Sequence, residues 1–536
     1  MQNHQQGKRL SWGDAVFLHL EREDMPLNVA CVSVLEGEIP FEDCLPFVES
    51  KLPLIPRLVK RVVSPMLNLG LPSWEYDPNF DIRNHVREVT LKHGTDTELK
   101  ALAGKIVSTV LDRQHPLWDI TFVHGLKGNR TGFILRLHHC MADGIAGVGI
   151  MSNLLDASPV APPLPKKKIR FRVPPRDPIN SLVDGVVTSS GDFVKGILSA
   201  CEGLLNMAEQ VAANGSNLVP TDEFSRLLPE VTAFTERIRF NVFYRGPQKF
   251  AWADIPLEEV KAVRQTCGAS VNDVILALVT ATIRRYLGLH RDRVKGRLLR
   301  MMVPVNVRGN DSPGELGNRI SLVPVTIPLD IRNPQKLLAA VHKRTEFLKR
   351  AHAAELVGLT GGLIGMFPTA MQALAGQVLS QLPITIFNLV CTNIPGPQYP
   401  LYLLGHKMLR WYPYVPVGGE MAVNCAILSY DGTLYFGFSG DVHAAPDLRR
   451  LETFLKSSFE ELREATGIKP PRKSEKNVRA KTREVSKPAP EPAATVRVSI
   501  PLTVPPPSVK LAEAPRPTTA EVRPDEEEKV LTQMVA

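Results

Sequence analysis

Two adjacent histidines followed by an aspartate and a glycine are the residues of this sequence whose types and spacing could do chemistry. They form the segment HHCMADG at 138–144, directly after the apolar strand candidate 133–137. A histidine at the end of a strand can lie at the mouth of a cleft, and its near-neutral pKa suits it to removing a proton from a hydroxyl or an amine. Gly144 permits the tight backbone geometry with which a chain leaves a strand. Asp143 could orient the imidazole, as in a nucleophilic triad, or hold the turn through an ion pair with an arginine, and the spacing is compatible with both roles.

Proline-rich segments divide the chain that must position this motif. Prolines cluster around the basic run KKKIRFR at 166–172, and such clusters interrupt regular structure. From 469 onward the chain is rich in proline and charge and cannot bury enough apolar surface to fold, so it is either a docking segment or a plain solvated tail. We therefore predict an N-terminal domain at 1–158, a linker with crossover helices at 159–229, a C-terminal domain at 230–468 and a disordered tail at 469–536.

Both folded halves mix strand and helix patterns, which predicts an α/β (α+β) fold. The sequence at 271–286 has apolar residues at helical spacing, with Asn272 as a possible N-cap, and 181–211 is also helical in pattern. Apolar runs bounded by turn residues predict strands at 133–137, 298–305, 321–327, 422–429 and 434–438.

A stretch without any Asp, Glu, Lys or Arg covers 356–405. Glycines and Pro368 break it into short apolar runs. Three interpretations are open: core helices, an apolar surface that faces lipid or an acyl chain, and a transmembrane helix, which the short runs disfavour.

The composition is that of a folded protein with an excess of basic charge. Hydrophobic residues make up 44% of the 536 residues, which excludes whole-chain disorder. A mean hydropathy of −0.05 and the lack of a clean 20-residue apolar block argue against a polytopic membrane protein. The seven cysteines have no zinc-ligand spacing, and the N-terminus has no apolar segment behind its charge. We therefore expect reduced thiols, no metal site, no signal peptide and a cytoplasmic protein.

The location of the charge decides what the net charge of +9 means. The tail from 469 onward has 13 basic and 9 acidic residues, and the run at 166–172 has five basic residues. With few aromatic residues and no recognition module, the sequence argues against nucleic-acid binding. The basic run could meet anionic lipid headgroups or be a solvated loop. The sequence shows no GxSxG, HExxH or GxxxxGK[ST] segment, which argues against the corresponding hydrolases and nucleotide-binding proteins.

Several segments, in order along 9–465, resemble the bacterial wax ester synthase/diacylglycerol acyltransferase family, which belongs to the wider superfamily of CoA-dependent acyltransferases and nonribosomal condensation domains. The sequence departs from the family pattern at Trp12, where the family usually has proline, and in its extra tail. The matching segments are RLSWGDAVFL at 9–18, HPLW at 115–118, HHCMADG at 138–144, SVNDV at 270–274, VPVNVR at 303–308, LGNRIS at 316–321 and TNIPGP at 392–397.

The resemblance implies two chloramphenicol-acetyltransferase-like domains with mixed sheets, joined by a long crossover, and an active-site tunnel between them. It implies an acyl-CoA-dependent O-acyltransferase that transfers a long-chain acyl group to diacylglycerol or a long-chain alcohol, giving triacylglycerol or wax ester. Acyl-CoA is then a co-substrate, no cofactor is bound permanently, and the enzyme is soluble or attached peripherally to membranes or lipid droplets. Two alternatives stay open: acylation of another hydroxylated metabolite or glycolipid, and a non-catalytic lipid-binding homologue.

The resemblance also implies roles for the residues of the motif. His139 matches the family's general base, and His138 supports it by orientation or hydrogen bonding. Asp143 shapes the loop, with Arg308 as its implied partner. Because direct attack of the acceptor hydroxyl needs no acyl-enzyme, we expect Cys140 to be a small packed residue rather than a nucleophile.

Residues outside the motif receive supporting roles. Asn272 could contact the reacting carbonyl or cap its helix. We expect Asp273 to be structural at the domain interface. Pro116, Leu117 and Trp118 are expected to line or support the acyl channel.

Overall fold

The computed structural model describes residues 9–65, 70–160, 235–306, 320–350 and 385–469. The helices predicted at 181–211 and the tail predicted to be disordered lie outside the described residues.

The described elements are numbered in chain order. The helices are α1 (Trp12–Leu20), α2 (Phe41–Lys51), α3 (Asp96–Val107), α4 (Gly144–Leu154), α5 (Leu257–Cys267), α6 (Val271–Leu289), α7 (Pro334–Arg350) and α8 (Arg450–Ala465). The strands are β1 (Asn28–Glu36), β2 (Lys60–Val63), β3 (Ser73–Tyr76), β4 (Val86–Thr90), β5 (Trp118–Leu126), β6 (Arg130–His138), β7 (Gln248–Pro256), β8 (Leu298–Asn306), β9 (Ile320–Pro328), β10 (Leu389–Pro395), β11 (Tyr402–Leu403), β12 (His406–Tyr414), β13 (Val423–Tyr430) and β14 (Thr433–Asp441).

The first sheet carries the histidine motif at the end of one of its strands. Over the described ranges it has six strands in the spatial order β11–β12–β1–β6–β5–β4. Strand β6, which ends at His138, lies between β1 and β5 and is antiparallel to both, whereas β4 and β5 are parallel. Every residue of β6 after Arg130 is buried. The motif therefore follows a rigid central strand of a mixed sheet.

Two strands of the first sheet come from late in the chain. Strand β12 pairs antiparallel with β1, placing Ala30 opposite Tyr414, and β11 continues the edge. By chain position both strands fall within the predicted C-terminal domain at 230–468, yet they complete the sheet of the N-terminal half. The boundary between the two sheets is therefore not a single point in the sequence, because pairing between strands does not depend on chain order.

The second sheet has, over the described ranges, six strands in the order β7–β14–β13–β10–β8–β9. Strand β10 is parallel to both of its neighbours and the remaining pairs are antiparallel. Helix α6 packs in this half and is apolar almost all round. Thirteen of its 19 residues are buried, as expected for a helix inside a core.

The two halves meet through packed backbone as well as side chains. A Cβ built on Gly437 of β14 would lie 1.8 Å from the carbonyl oxygen of Pro413 in β12. Only a glycine lets two strands approach this closely. The backbone N–H of Gln248 also donates to Ser108 Oγ at 2.7 Å. The first hydrophobic core accordingly includes side chains from both halves.

The strands and the helix predicted from the sequence are confirmed. Strands β6, β8, β9, β13 and β14 cover the five predicted runs to within one residue, and α6 covers the predicted helix. The charge-free stretch 356–405 is different. Its described part, from 385 onward, forms strands β10 and β11, so the prediction of core helices is wrong there because short apolar runs with β-branched residues also suit a strand.

Among the described residues, no single helix has the length and apolar character needed to cross a membrane. Helices α5 and α6 meet this composition test as a pair, but they are bent by 101° at the break between them.

Candidate active site

The two histidines occupy different environments at the end of β6. His138 pairs with Asn28 of β1 and is fully buried, whereas His139 is partly exposed. The backbone N–H of His138 donates to Leu117 O at 2.9 Å, and that of His139 donates to Leu27 O at 3.0 Å. His138 is the last residue of β6, whereas His139 is the first residue of the turn that follows, so the two rings lie in different surroundings.

His139 has the protonation state that a base needs. Its ring stacks on Phe17 of α1, with ring centroids 3.8 Å apart and planes inclined by 6°. Burial of the ring lowers the pKa of His139 to about 4, because a low-dielectric environment disfavours the charged form. The imidazole is therefore neutral at physiological pH and can accept a proton.

His138 is tied into a buried network. Its Nδ1 accepts a hydrogen bond from the Cys140 backbone N–H at 3.1 Å, and its Nε2 lies 3.3 Å from Glu21 Oε2. Glu21 Oε2 also accepts from Arg113 Nη2 at 3.0 Å, and Glu21 Oε1 accepts from the Leu27 backbone N–H at 3.0 Å. His138 thus holds the loop rather than facing its outer side.

Asp143 begins helix α4. It is the N-cap residue, it is buried, and its Oδ1 accepts from the Ala146 backbone N–H at 2.8 Å. A carboxylate at this position satisfies a free backbone donor and the positive end of the helix. Asp143 therefore shapes the loop through the start of α4. Its implied partner Arg308 lies outside the described residues.

Gly144 is required for a different reason from the one expected. It is the first residue of α4, and its φ is not in the left-handed region. A Cβ at this position would lie 2.4 Å from Cδ1 and 2.7 Å from Cγ1 of Ile394 in β10. Close packing against the second half, rather than a tight turn, explains the glycine.

The capping role predicted for Asn272 is wrong. The N-cap of α6 is Ser270, whose Oγ accepts from the Asp273 backbone N–H at 3.1 Å, while Asp273 Oδ2 accepts from the Ser270 backbone N–H at 2.8 Å. This reciprocal pair is a capping box. Asn272 lies in the first turn and is partly buried.

Asp273 connects two helices of the same half rather than two domains. Its carboxylate accepts from Thr345 Oγ1 at 2.6 Å and lies 2.9 Å from His342 Nδ1, both in α7. Burial alone would raise the pKa of Asp273, but its hydrogen bonds lower it below its ordinary value. The expectation of a domain-interface residue is therefore corrected to a link between α6 and α7.

Pro116, Leu117 and Trp118 pack beside the end of β6 and support the histidine motif there. All three are buried. The carbonyl of Leu117 accepts the hydrogen bond from the His138 backbone N–H. The segment is itself held in place, because Trp118 Nε1 donates to Leu58 O at 2.6 Å and the indole stacks on His85. These contacts fix the end of β6, and the role expected for the three residues at an acyl channel stays a prediction.

Cys140 is buried, and burial raises the pKa of its thiol well above the ordinary value. A thiol in this state is a poor nucleophile. Within the ranges that the structure covers, no three His, Cys, Asp or Glu side chains come together as a possible metal site.

Sequence reasoning missed the residues that hold the loop from α1 and its surroundings. Phe17 stacks on His139, Glu21 binds His138, and Arg57 Nη1 donates to Met141 O at 2.9 Å. One signal was available: Phe17 and Glu21 are four residues apart, a spacing that predicts one helix face, although in the structure Glu21 follows α1 as its C-cap residue. Their distance along the chain from 138–144 gave no hint of the contact.

Two domain models of one protein family match most of the chain. Residues 10–275 match the wax ester synthase/diacylglycerol acyltransferase catalytic domain, and residues 316–463 match the C-terminal domain of the same family. A probable diacylglycerol O-acyltransferase of Mycobacterium tuberculosis is 29% identical over 465 residues, covering 84% of this chain and 94% of that protein. A putative one from the same organism is 30% identical, covering 74% of this chain and 84% of that protein.

Solved structures show the same fold. The wax ester synthase/diacylglycerol acyltransferase of Marinobacter aquaeolei has a TM-score of 0.60 at 21% identity, covering 86% of this chain and all of that one. The first condensation domain of the calcium-dependent antibiotic synthetase has a TM-score of 0.54 at 13% identity, covering 87% and 98%. The predicted fold of two acetyltransferase-like domains with mixed sheets is confirmed. The chain belongs to the wax ester synthase/diacylglycerol acyltransferase family and is an O-acyltransferase.

Proposed function

We propose that the enzyme transfers a long-chain acyl group from acyl-CoA to the hydroxyl of diacylglycerol or of a long-chain alcohol, giving triacylglycerol or wax ester. The observation that carries the proposal is His139. It is partly exposed at the end of β6, stacked on Phe17, and has a pKa lowered to about 4 by burial. A neutral imidazole at a strand end is suited to act as a general base toward a hydroxyl.

The reaction follows from this base. His139 removes the proton of the acceptor hydroxyl, and the oxygen attacks the carbonyl carbon of the thioester. As the new C–O bond forms, the carbonyl electron pair moves onto oxygen. When the tetrahedral intermediate collapses, the C–S bond breaks and CoA leaves as thiolate, which takes the proton back from the His139 imidazolium. The imidazole is regenerated, and no cofactor takes part.

Cys140 is not needed as a nucleophile in this scheme. Its protonated, buried thiol supports direct transfer without an acyl-enzyme. The contact of Gly144 with Ile394 brings the second half against the start of α4. This contact supports placing the substrates at the junction of the two halves, with Asn272 as a candidate for contact with the reacting carbonyl.

The test is an assay on the purified full chain with a long-chain acyl-CoA and either diacylglycerol or a long-chain alcohol, with CoA release and ester formation both measured. His139→Gln and His139→Ala should lower the rate by about 10²- to 10⁴-fold. His93→Ala, at an exposed histidine, is the matched control and should keep the wild-type rate. Unchanged ester formation in both His139 variants would overturn the assigned base.

The acceptor is decided by the same assay. CoA release that depends on a different hydroxylated metabolite or a glycolipid would favour the alternative substrate class. If no CoA is released with either lipid acceptor or with any of a panel of other alcohols, a lipid-binding role is favoured.

We further propose that the enzyme works in the cytoplasm and attaches peripherally to membranes or lipid inclusions. Diacylglycerol and long-chain alcohols reside in such phases, and the chain has the charge-free stretch 356–405 and the basic run 166–172. Co-sedimentation with vesicles containing anionic phospholipid tests this, comparing the wild type with a variant in which the five basic residues of 166–172 are replaced by glutamine. Equal recovery of both proteins in the supernatant would contradict attachment.

A further inference from the structure

The two ring nitrogens of His138 face groups of opposite kind. Nδ1 accepts from the Cys140 backbone N–H, and Nε2 lies 3.3 Å from Glu21 Oε2. A backbone N–H can only donate, and an ionised carboxylate can only accept. The neutral tautomer with its proton on Nε2 places that hydrogen beside the carboxylate and leaves Nδ1 able to accept. The opposite tautomer satisfies neither, and a doubly protonated ring would set Nδ1–H against the Cys140 N–H.

Glu21 is held in the ionised form that this arrangement needs. Its side chain is only 3% exposed, and a buried carboxylate is costly unless it is paired and hydrogen-bonded. Burial by itself would raise its pKa. The close and electrostatically favourable contact with His138, followed by the hydrogen bonds from the Leu27 N–H and Arg113, outweighs burial and lowers the pKa of Glu21 to about 2.

Glu21 reaches His139 by two routes. The first passes through the ring of His138 to the Cys140 N–H, on the residue directly after His139. The second passes through the peptide groups of Leu27. Its N–H donates to Glu21 Oε1, and its carbonyl accepts from the His139 N–H at 3.0 Å. One carboxylate thus fixes the backbone on both sides of His139.

We propose that Glu21 is a positioning residue: it selects the tautomer of His138 and fixes the backbone that carries His139. The proposal rests on the proposed role of His139 as the base. It assigns Glu21 no contact with substrate and no proton transfer of its own.

A simple ion pair with Arg113 does not account for this geometry. The Arg113 side chain is 49% exposed, and pairs with one exposed partner add little stability. The fully buried partner of Glu21 is His138, and the other ring nitrogen of His138, Nδ1, accepts from the Cys140 N–H in the histidine loop.

Glu21→Gln is the sharpest test, because it keeps the shape of the side chain. The amide oxygen can still accept from the Leu27 N–H, but the amide NH₂ then faces donors on His138 and Arg113. To relieve this clash, His138 must turn or change tautomer, and the Cys140 N–H loses its acceptor. We expect kcat to fall by up to about 100-fold, as small misplacements of a catalytic group do, with little change in the KM for acyl-CoA.

Two further variants show whether the fall in kcat of Glu21→Gln comes from the contact with His138. Asp24→Asn makes the same acid-to-amide change in a nearby exposed pair with Arg22 and should keep wild-type kinetics. Arg113→Gln leaves the Glu21–His138 contact in place, so it should lower kcat less than Glu21→Gln does. Equal losses in Arg113→Gln and Glu21→Gln would show that the ion pair, not the tautomer, matters, and would overturn the proposal.

A spectroscopic readout separates this inference from the proposed function. In protein labelled with ¹⁵N at histidine, the His138 signals are assigned by their absence in His138→Gln. We expect the Nε2–H tautomer in the wild type and a changed state in Glu21→Gln, whichever acceptor the enzyme uses. An unchanged His138 tautomer in Glu21→Gln would overturn the positioning role even if His139 is the base. If His139→Gln is fully active but the tautomer shifts as expected, the proposed base fails while the contact between Glu21 and His138 stands.

Discussion

Gly144 lies so close to Ile394 that a Cβ on the glycine would stand 2.4 Å from the Cδ1 atom of the isoleucine. Gly144 begins α4 directly after the loop with the two histidines, and Ile394 belongs to β10 in the other half of the protein. The loop with the histidines is therefore packed directly against the second sheet.

Adding a methyl group at this contact should impair both stability and activity. Gly144→Ala overpacks the junction, which typically costs about 1–3 kcal/mol of unfolding free energy. Ile394→Ala alone leaves a cavity, but it removes both clashing atoms. We expect the double variant to lose less stability than the sum of the two single variants, as measured by denaturant unfolding.

The control for this cycle lies in the same helix. A Cβ on Gly147 meets no atom within 4 Å. Gly147→Ala should therefore stabilise α4 by up to about 1 kcal/mol, because alanine favours a helix more than glycine does. Additive losses in the Gly144 and Ile394 variants would contradict the close contact.

The rate should be insensitive to pH over the range in which an ordinary histidine titrates. Since the pKa of His139 is lowered to about 4, the neutral base persists as the pH falls from 8 to about 5. The group is lost as a base only when the pH falls through its pKa. We expect a flat kcat/KM over this range and a decrease below it, measured on protein shown to stay folded at each pH.

A variant that opens the site sharpens the pH prediction. Phe17→Ala removes the ring that covers His139, and burial is the main cause of the lowered pKa. The acidic limb of the profile should therefore move upward, toward the ordinary value for histidine of about 6.5. If the acidic limb of the wild-type pH–rate profile already lies at about 6.5, burial does not lower the pKa of His139 and the prediction is contradicted.

Two substitutions of Asp143 separate its cap from its charge. Asp143→Ala removes the acceptor for the Ala146 N–H and should cost about 0.5–2 kcal/mol of stability with a loss of activity. Asp143→Asn keeps a good cap and should be close to the wild type in thermal unfolding. If the asparagine variant loses as much stability and activity as the alanine variant, the charge of Asp143 is essential, as an ion pair with Arg308 predicts.

The crossing of β12 and β14 should be the least tolerant point of the junction. Gly437→Ala would place a Cβ 1.8 Å from the Pro413 carbonyl oxygen, and backbone cannot rotate away as a side chain can. We expect a loss of more than about 3 kcal/mol, since this exceeds ordinary overpacking. Gly288→Ala, with no atom within 4 Å of the added Cβ, is the control. A melting temperature for Gly437→Ala equal to that of the wild type would contradict the observed approach of the strands.

The sequence could predict the parts of this protein whose signal is local. The apolar run before His138 predicts β6, and the helical spacing after Ser270 predicts α6, because both patterns lie within one element. The cap of α6 is Ser270 and not Asn272: both residue types suit an N-cap, and only the reciprocal hydrogen bonds between Ser270 and Asp273 decide between them.

Contacts that join distant positions could not be predicted. Nothing in the spacing links Glu21 to His138, because the pair forms only when α1 packs beside the end of β6. The sequence likewise does not show why a glycine is needed at position 144, since the residue that packs against it, Ile394, lies in the other half of the chain. Family resemblance identified the motif and some of its supporting residues, but it did not identify Glu21 or Ile394 as contacts of the motif.

The late position of β12 in the chain has a consequence for how the protein is made. Strand β1 is complete by residue 36, yet its partner on one side is synthesised only when the ribosome reaches residue 414. During most of translation the first sheet therefore has an open edge at β1, with unpaired N–H and C=O groups that can recruit another strand. Pairing along this edge of the sheet can be completed only after residues 402–414 have been synthesised, so the N-terminal half cannot finish folding as an independent early unit.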